Sequence, residues 1–387
     1  MPHSDVLVIG GGVIGLATAW RTAQRGLSVT VLDPDPGRGA NQVAAGMLAP
    51  VTELQYGEEP LLALGIASNA RYADFAAELT EATGLDTGYR ACGTLAVALD
   101  ADDRAELHEV HGFQQRLGLD VEWLSGREAR RLEPMLAPGV RGATLVRGDH
   151  QVDGRRLGAA LVAACVKAGV TLHPSRAARV TTEGGRATGA LAVDGTKLTA
   201  DQTAVAAGCW SGGLEGVPAA VRLPLRPVKG QVLRLRMTTV RGDFPGPPFL
   251  SRNVRAVVRG VHIYLVPRAD GELVLGATTE EEGFDTTVTA GGVYELLRDA
   301  HELVPGITEL PLAETSAGLR PGTPDNAPLL GPTALPGLVA ATGHHRNGVL
   351  LTPVTADALA EYLTTGQLPP EARPFTPTRF ASPESPA

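Results

Sequence analysis

Apolar positions along the chain alternate between two periods. Val6-Leu7-Val8-Ile9 is continuously apolar, as a strand buried on both faces requires. Leu16, Ala19, Trp20 and Ala23 then recur at helical spacing, and Gly26 closes that run. A second apolar run, Leu27 to Leu32, ends at Asp33. Together these pieces predict a βαβ unit. Helical periodicity returns over 59–83 and 101–117, and "RRLGAALVAACVKAG" (155–169) reads as an amphipathic helix. "LSGREARRLEPML" (124–136) reads as a short helix with Ser125 as N-cap. "GTLAVAL" (93–99) and runs within 170–200 read as strands. "DQTAVAAGCWSG" (201–212) reads as a buried strand that returns to the first parallel sheet and delivers Gly208 to a turn.

Residues 221–280 carry a different pattern. "KGQVLRLRM", "VHIYLVP" and "GELVLGA" suit antiparallel strands, with a turn at Ala269-Asp270-Gly271. The expected fold is α/β plus α+β: a Rossmann-like domain and a second domain on a mostly antiparallel sheet. The first is expected to be discontinuous, over 1–80, 145–220 and 315–375. The second takes 81–144 and 221–314, and the Pro-rich stretch 376–387 forms a flexible tail.

Composition narrows the partners. A chain of 387 residues, 43% of them hydrophobic, can bury two cores. A net charge of −8 argues against nucleic acid and anionic membranes. Three cysteines without a CxxC fit a reduced, cytoplasmic setting. The apolar N-terminal run has no Lys or Arg ahead of it and is broken by glycines. It is shorter than the roughly 20 residues a membrane span needs.

The turn after the first strand holds G-x-G-x-x-G at Gly10, Gly12 and Gly15, and Asp33 follows 18 residues later. Gly10 permits the tight turn, Gly12 the approach of a pyrophosphate, and Gly15 close helix packing. Asp33 suits ribose hydroxyls. Strand, helix, strand and acid together make a dinucleotide site, without separating NAD from FAD.

Three further segments place polar groups in apolar settings. "VHIYLVPR" puts His262 and Tyr264 on one face of a strand. "AGLRPGTPDNAPLLG" sets Arg320 beside a Pro-Gly turn, and "GHHRNGVLLTP" sets Arg346 and Asn347 before a helix with Thr352 as N-cap and Pro353 at its first position. Adjacent His344 and His345 point apart and make a poor metal pair, and neither H-E-x-x-H nor G-x-S-x-G occurs, so no metal is expected.

"GGGVIG", "AAGMLAP", "RPVKGQ", "YLVPRADGELVLGAT", "AGLRPGTPDNAPLLG" and "GHHRNGVLLTP" together resemble the glycine oxidases of the thiamine pathway, within the wider family of D-amino-acid and sarcosine oxidases. The resemblance implies noncovalent FAD. It implies oxidation of glycine or another small amine to an imine, then glyoxylate and ammonia, with dioxygen reduced to hydrogen peroxide. It places Val13 and Ile14 at the pyrophosphate, and Asp33 and Pro34 at the ribose. Ala40, Asn41, Ala45, Gly46 and Met47 fall at the phosphates and flavin edge, Ala178 at the adenine, and His344, His345, Arg346, Asn347, Gly348, Val349 and Leu350 around the flavin ring. Arg320 matches the arginine that binds the substrate carboxylate, Arg346 a second substrate-side arginine, and Tyr264 and His262 the site wall. Three positions depart from the pattern: Asp33 for the commoner Glu, Asn41 and Gln42 for a hydroxyl residue, and His345 for an aromatic one. Family members often form homo-oligomers, which nothing in these residues demands. The alternatives are a sarcosine or D-amino-acid oxidase or dehydrogenase, and a non-catalytic dinucleotide sensor.

Overall fold

A computed structural model describes residues 3–237 and 248–380. The chain runs β1 (His3–Ile9), α1 (Val13–Gln24), β2 (Val29–Leu32), β3 (Met47–Leu48), α2 (Glu59–Thr83), β4 (Thr94–Ala98), α3 (Ala101–Arg116), β5 (Glu122–Ser125), α4 (Gly126–Leu132), β6 (Gly142–Val146) and β7 (His150–Gln151). It continues with α5 (Gly154–Lys167), β8 (Thr171–His173), β9 (Ala177–Glu183), β10 (Arg186–Ala192), β11 (Lys197–Val205), β12 (Arg226–Arg236), β13 (Asn253–Val258), β14 (Val261–Pro267) and β15 (Glu272–Gly276). It closes with α6 (Ala290–Leu303), β16 (Leu312–Gly322), β17 (Leu329–Pro332), β18 (Leu338–Thr342) and α7 (Thr352–Thr365).

The first sheet has the order β17-β18-β11-β1-β2-β8, with β9 and β10 appended through β11. β1 pairs in parallel with both β2 and β11, and β11 in parallel with β18. The apolar run at 201–205 therefore does return to the sheet of the opening βαβ unit. One face of that sheet buries Val6, Val8 and Val31 under α1, α2, α5 and α7, and the other buries Leu7, Ile9 and Leu32. Both faces are covered, which is why β1 carries the unbroken apolar run Val6–Ile9.

The second sheet has the order β16-β12-β15-β14-β13-β4-β6-β5 and is antiparallel except where β13 meets β4. Leu233, Ile263, Leu265 and Leu275 bury one face against α6 residues Leu296, Ala300 and Leu303. The opposite face packs Val232, Val266 and Val274 against Ala45 of the first sheet's loop. The anticipated breaks at 145 and 315 fall inside β6 and β16. β16 pairs with β12 along its length, so Arg320 belongs to the second sheet. Pro321 and Gly322, read as a turn, still pair with Pro227 and Arg226. The tail is ordered at its start: Arg379 binds Asp325 at 2.8 Å. Residues 381–387 lie outside the described residues.

Ser125 caps α4 with a reciprocal capping box to Glu128. α7 begins one residue from its expected register: Leu351 occupies the N-cap and Thr352 is already helical. The Thr352 hydroxyl donates instead to the Gly348 carbonyl, at 2.9 Å.

Candidate active site

The carboxyl ends of β1, β2, β11 and β18 lie at one edge of the first sheet. Gly10–Gly15, Asp33, Gly208 and the 343–350 segment follow those four ends, where open parallel sheets bind ligands. The three motif glycines have different reasons to be glycine. Gly10 takes φ +109°, and a Cβ there would lie 2.4 Å from the Ala206 carbonyl oxygen. A Cβ on Gly15 would lie 1.9 Å from the Gly10 oxygen. Gly12 has φ −71°, and a Cβ on it would meet nothing within 4 Å. The space before Gly12 is thus left open by the fold. α1 starts there without a side-chain cap or an acid in its first turn, so its leading amides have no partner among the described residues and suit an anion. Asp33 accepts from the Gly11 and Asp35 amides, both at 2.8 Å, with Pro34 exposed beside it. Ala178 lies half-buried on β9. Gly208 takes φ +56°, and its carbonyl accepts from Thr342 Oγ1.

The 40–47 loop is held from behind. Asn41 is buried, and its amide donates to the Gly37 and Gly154 carbonyls while its oxygen accepts from the Gly39 amide. Gln42 also donates to the Gly37 carbonyl. Both side chains shape the loop, and both N–H groups of the Asn41 amide are used within it, so that amide is not free to donate to phosphate. Ala40 is exposed. Gly46 takes φ +71° and its carbonyl accepts from the Val152 amide at 2.9 Å, while Met47 pairs with Gln151.

The second sheet turns a polar face towards this loop. Tyr264 and Arg255 are cross-strand neighbours, and His262 lies two residues earlier on the same side of β14. A Cβ on Gly276 would lie 2.3 Å from the Tyr264 hydroxyl, and one on Gly230 would lie 2.4 Å from Arg320 Nη2. Two glycines therefore give the ring and the guanidinium their room. Arg320 Nη1 donates to the Lys229 and Thr278 carbonyls at 3.2 Å. Its Nε and Nη2 have no protein acceptor, and no carboxylate lies within 4.0 Å, among the described residues. The Tyr264 hydroxyl likewise has no protein hydrogen bond among them. Burial pushes the Tyr264 phenol up, and Arg320 pulls it the other way. Partial desolvation first, then Arg255, draws His262 below the ordinary histidine value. A cavity of about 510 Å³ opens at the rim of the sheet between His262, Thr278 and Glu280 on one side and Thr289, Gly292 and Glu295 at α6 on the other; Arg320 and Tyr264 are not among its lining residues.

The 343–350 segment separates its two histidines. His344 is buried and its Nε2 meets Thr355 Oγ1 of α7 at 3.0 Å. Burial pushes its imidazole down to about 3. His345 takes φ +46°, and burial first, then Arg346 and Arg320, push it down to about 4. Gly343 takes φ +77° and a Cβ there would lie 2.6 Å from Thr323 Cγ2. Gly348 takes an ordinary right-handed backbone. Asn347, Val349 and Leu350 are buried, and the Val349 and Leu350 carbonyls accept from the Tyr72 and Ser68 hydroxyls of α2. Because His344 stays neutral in the fold, the unfolded chain takes up a proton that the folded chain refuses below about pH 6.5. Stability is complete above that pH and falls towards pH 3 by up to about 1.4 kcal/mol per unit. His344→Gln is expected to flatten that acid limb relative to the parent in denaturant melts at successive pH values. Parallel curves would show that His344 is not the group responsible.

Arg346 is less free than expected. It pairs with Glu58 and lies 3.7 Å from Glu53, which also binds Arg255. Two guanidinium groups and two carboxylates thus compensate one another, and Arg320 stands as the cation left without a counterion. Sequence reasoning passed over Glu53, Gly230 and Gly276, although "KGQ" and "LGAT" stand in blocks it singled out. Nothing local in those strings announces that a guanidinium and a phenol lie across them.

An open glycine turn at a parallel-sheet edge, facing a second sheet with an unpaired arginine, is the arrangement of a dinucleotide-binding oxidoreductase. The chain belongs to the family of FAD dependent oxidoreductases, whose description matches residues 5–362. FAD is accordingly its cofactor, and the open Gly12 and unclaimed α1 amides fit it. Glycine oxidase of Geobacillus kaustophilus is 34% identical, over 97% of this chain and 97% of its own. A crystal structure of glycine oxidase from that organism superposes with a TM-score of 0.90 at 33% identity, covering 99% of this chain and 100% of the other. The bifunctional protein ThiO/ThiG of Synechocystis sp. is 35% identical over 99% of this chain and 55% of its own length. The chain spans about half the length of the bifunctional relatives it matches.

Proposed function

We propose that the protein oxidises glycine, and similarly small amines carrying an α-carboxylate, to the imine, which water converts to glyoxylate and ammonia. The observation that carries this reading is the free Nε/Nη2 edge of Arg320 beside the unpaired Tyr264 hydroxyl. A planar guanidinium edge binds a carboxylate bidentately, and the phenol adds one hydrogen bond. FAD, when bound, supplies the two-electron acceptor, and dioxygen takes those electrons on as hydrogen peroxide. The chain's own residues bind and orient the substrate. Arg320 and Tyr264 fix one end of it, and Gly230 and Gly276 leave both side chains the room they occupy. The neutral imidazole of His262 stands at the cavity wall, where it can accept a proton from the substrate ammonium. Arg346 acts through its ion pairs, holding the 53–58 segment at the site.

The residue groups named above for pyrophosphate, ribose, adenine and flavin are our assignment of the cofactor site. We divide the chain at the two sheets, with β6 and β16 given to the substrate part. Likeness to part of the ThiO/ThiG proteins supports a place in thiamine thiazole synthesis. Three unpaired cysteines support a cytoplasmic setting. Among the described residues no helix is long and apolar enough to cross a membrane.

The deciding experiment follows peroxide release with glycine, sarcosine and D-alanine. Turnover of glycine is expected. Bleaching of the flavin without peroxide would make the protein a dehydrogenase, and no response to any of the three would end the amine-oxidase reading. Tyr264→Phe is expected to lower kcat/KM for glycine about tenfold, the worth of one hydrogen bond to a charged group. Unchanged kinetics would place the hydroxyl off the substrate.

A further inference from the structure

We infer that Arg268 is a positioning residue that fixes the cofactor-binding loop 40–47 against the substrate-binding sheet. Three guanidinium groups reach carbonyl oxygens of this loop. Arg155 Nε and Arg234 Nη2 donate to Gln42, at 2.8 and 3.1 Å, and Arg268 Nη2 donates to Ala45. Arg155 is neutralised by Glu314 and Arg234 by Glu272. Arg268 differs from both. It is 6% exposed, and its nearest carboxylate, Asp153, lies 3.9 Å away. Its hydrogen bonds go to neutral oxygens: Ala45 O, Val152 O at 3.0 Å and Gln151 Oε1 at 2.6 Å. Its Nε, the atom nearest Asp153, makes no hydrogen bond among the described residues. A cation in such surroundings costs stability, and a side chain that only tied two segments together would not need the charge.

Its place gives the charge a use. Arg268 directly follows β14, the strand that presents Tyr264. It grips Ala45 and Val152 together, and Val152 in turn binds Gly46 through its amide. Ala45 also packs into the apolar seam with Val232, Val266 and Val274. One side chain therefore sets both the height of the loop over the sheet and a buried positive charge behind it. Among the described residues that charge has no counterion nearer than Asp153, and it favours an electron-rich group on the loop's other side.

This inference rests on the assignment of loop 40–47 to the cofactor, and its kinetic arm rests on the glycine-oxidising reading as well. Arg268→Met and Arg268→Lys holoproteins are compared with the parent in three measurements. These are the FAD dissociation constant, the flavin midpoint potential by dye equilibration, and the anaerobic flavin-reduction rate constant at saturating glycine. For Arg268→Met we expect a dissociation constant raised by about tenfold or more, from loss of a charge-assisted contact, and a potential moved to a more negative value. The saturated reduction rate is expected to fall while the glycine concentration at half-saturation stays near the parent value, because Arg320 is untouched. Arg268→Lys is expected to keep the potential and lose part of the rate. A lower melting temperature with parental potential and parental rate per bound flavin would overturn the proposal and leave Arg268 a structural strut. If Arg268→Met does not fold, the rate in Arg268→Lys decides. If glycine does not reduce the parent flavin, the function reading fails, and the potential and affinity still judge Arg268.

Discussion

Replacing Arg320 with methionine is expected to raise KM for glycine about 100- to 10,000-fold while the purified protein stays yellow. Two charge-assisted hydrogen bonds to a carboxylate, at about 1.5–3 kcal/mol each, set that range. The cofactor is expected to remain because the bonds Arg320 makes in the protein, to the Lys229 and Thr278 carbonyls, lie within the second sheet. Gly230, which leaves room for the guanidinium, then faces a shorter apolar chain that fits the same space. Arg320→Lys is expected to recover only part of the loss, since an ammonium is a point charge without a bidentate edge. Steady-state kinetics with glycine, read beside the flavin-to-protein absorbance ratio, check both statements. A colourless Arg320→Met protein would place this residue in the cofactor site, and an unchanged KM would remove it from the substrate site.

Gly12→Ala is expected to give a folded protein that has lost its cofactor. The backbone at Gly12 is ordinary, and the added methyl touches no protein atom. The melting temperature of the apoprotein is therefore expected within a few degrees of the parent, the range of a substitution without a clash. The methyl does occupy the gap left for the pyrophosphate, and FAD affinity is expected to fall about 100-fold, corresponding to about 3 kcal/mol. Gly10→Ala makes the opposite case. Its left-handed backbone and the Ala206 carbonyl at 2.4 Å make the fold itself pay. Titration of both apoproteins with FAD, together with thermal melts, separates the two effects. Parental affinity in Gly12→Ala would mean that no phosphate approaches this residue.

Much of the first sheet was legible because its elements announce themselves locally. Val6–Ile9 and Leu27–Leu32 are apolar runs bounded by glycine and acid, and Glu59–Thr83 and Ala101–Arg116 match the helical spacing. α6 was not recognised although Leu296, Ala300 and Leu303 recur on one face, since the Gly291-Gly292 pair at its start imitates a loop. The site was legible residue by residue and not as a geometry. Arg320 and Tyr264 stand out as polar groups among apolar ones. Their meeting depends on β16, β12, β15 and β14 lying side by side, which is a matter of long-range pairing. Asn41 misled for a related reason. An amide can serve a phosphate or a backbone equally well, and only the proximity of Gly37 and Gly154 decides for the backbone. Arg346 became a paired side chain through Glu58, 288 residues away in sequence.

The three glycines of the first turn also bear on how such chains diverge. Gly10 and Gly15 answer to the packing of their own fold, whereas Gly12 answers only to a molecule from outside it. In a lineage that keeps this architecture but abandons the cofactor, selection would release Gly12 first and hold its two neighbours. A single position thus carries a record of whether the cofactor is still in use, written in a residue whose loss the fold itself would not notice.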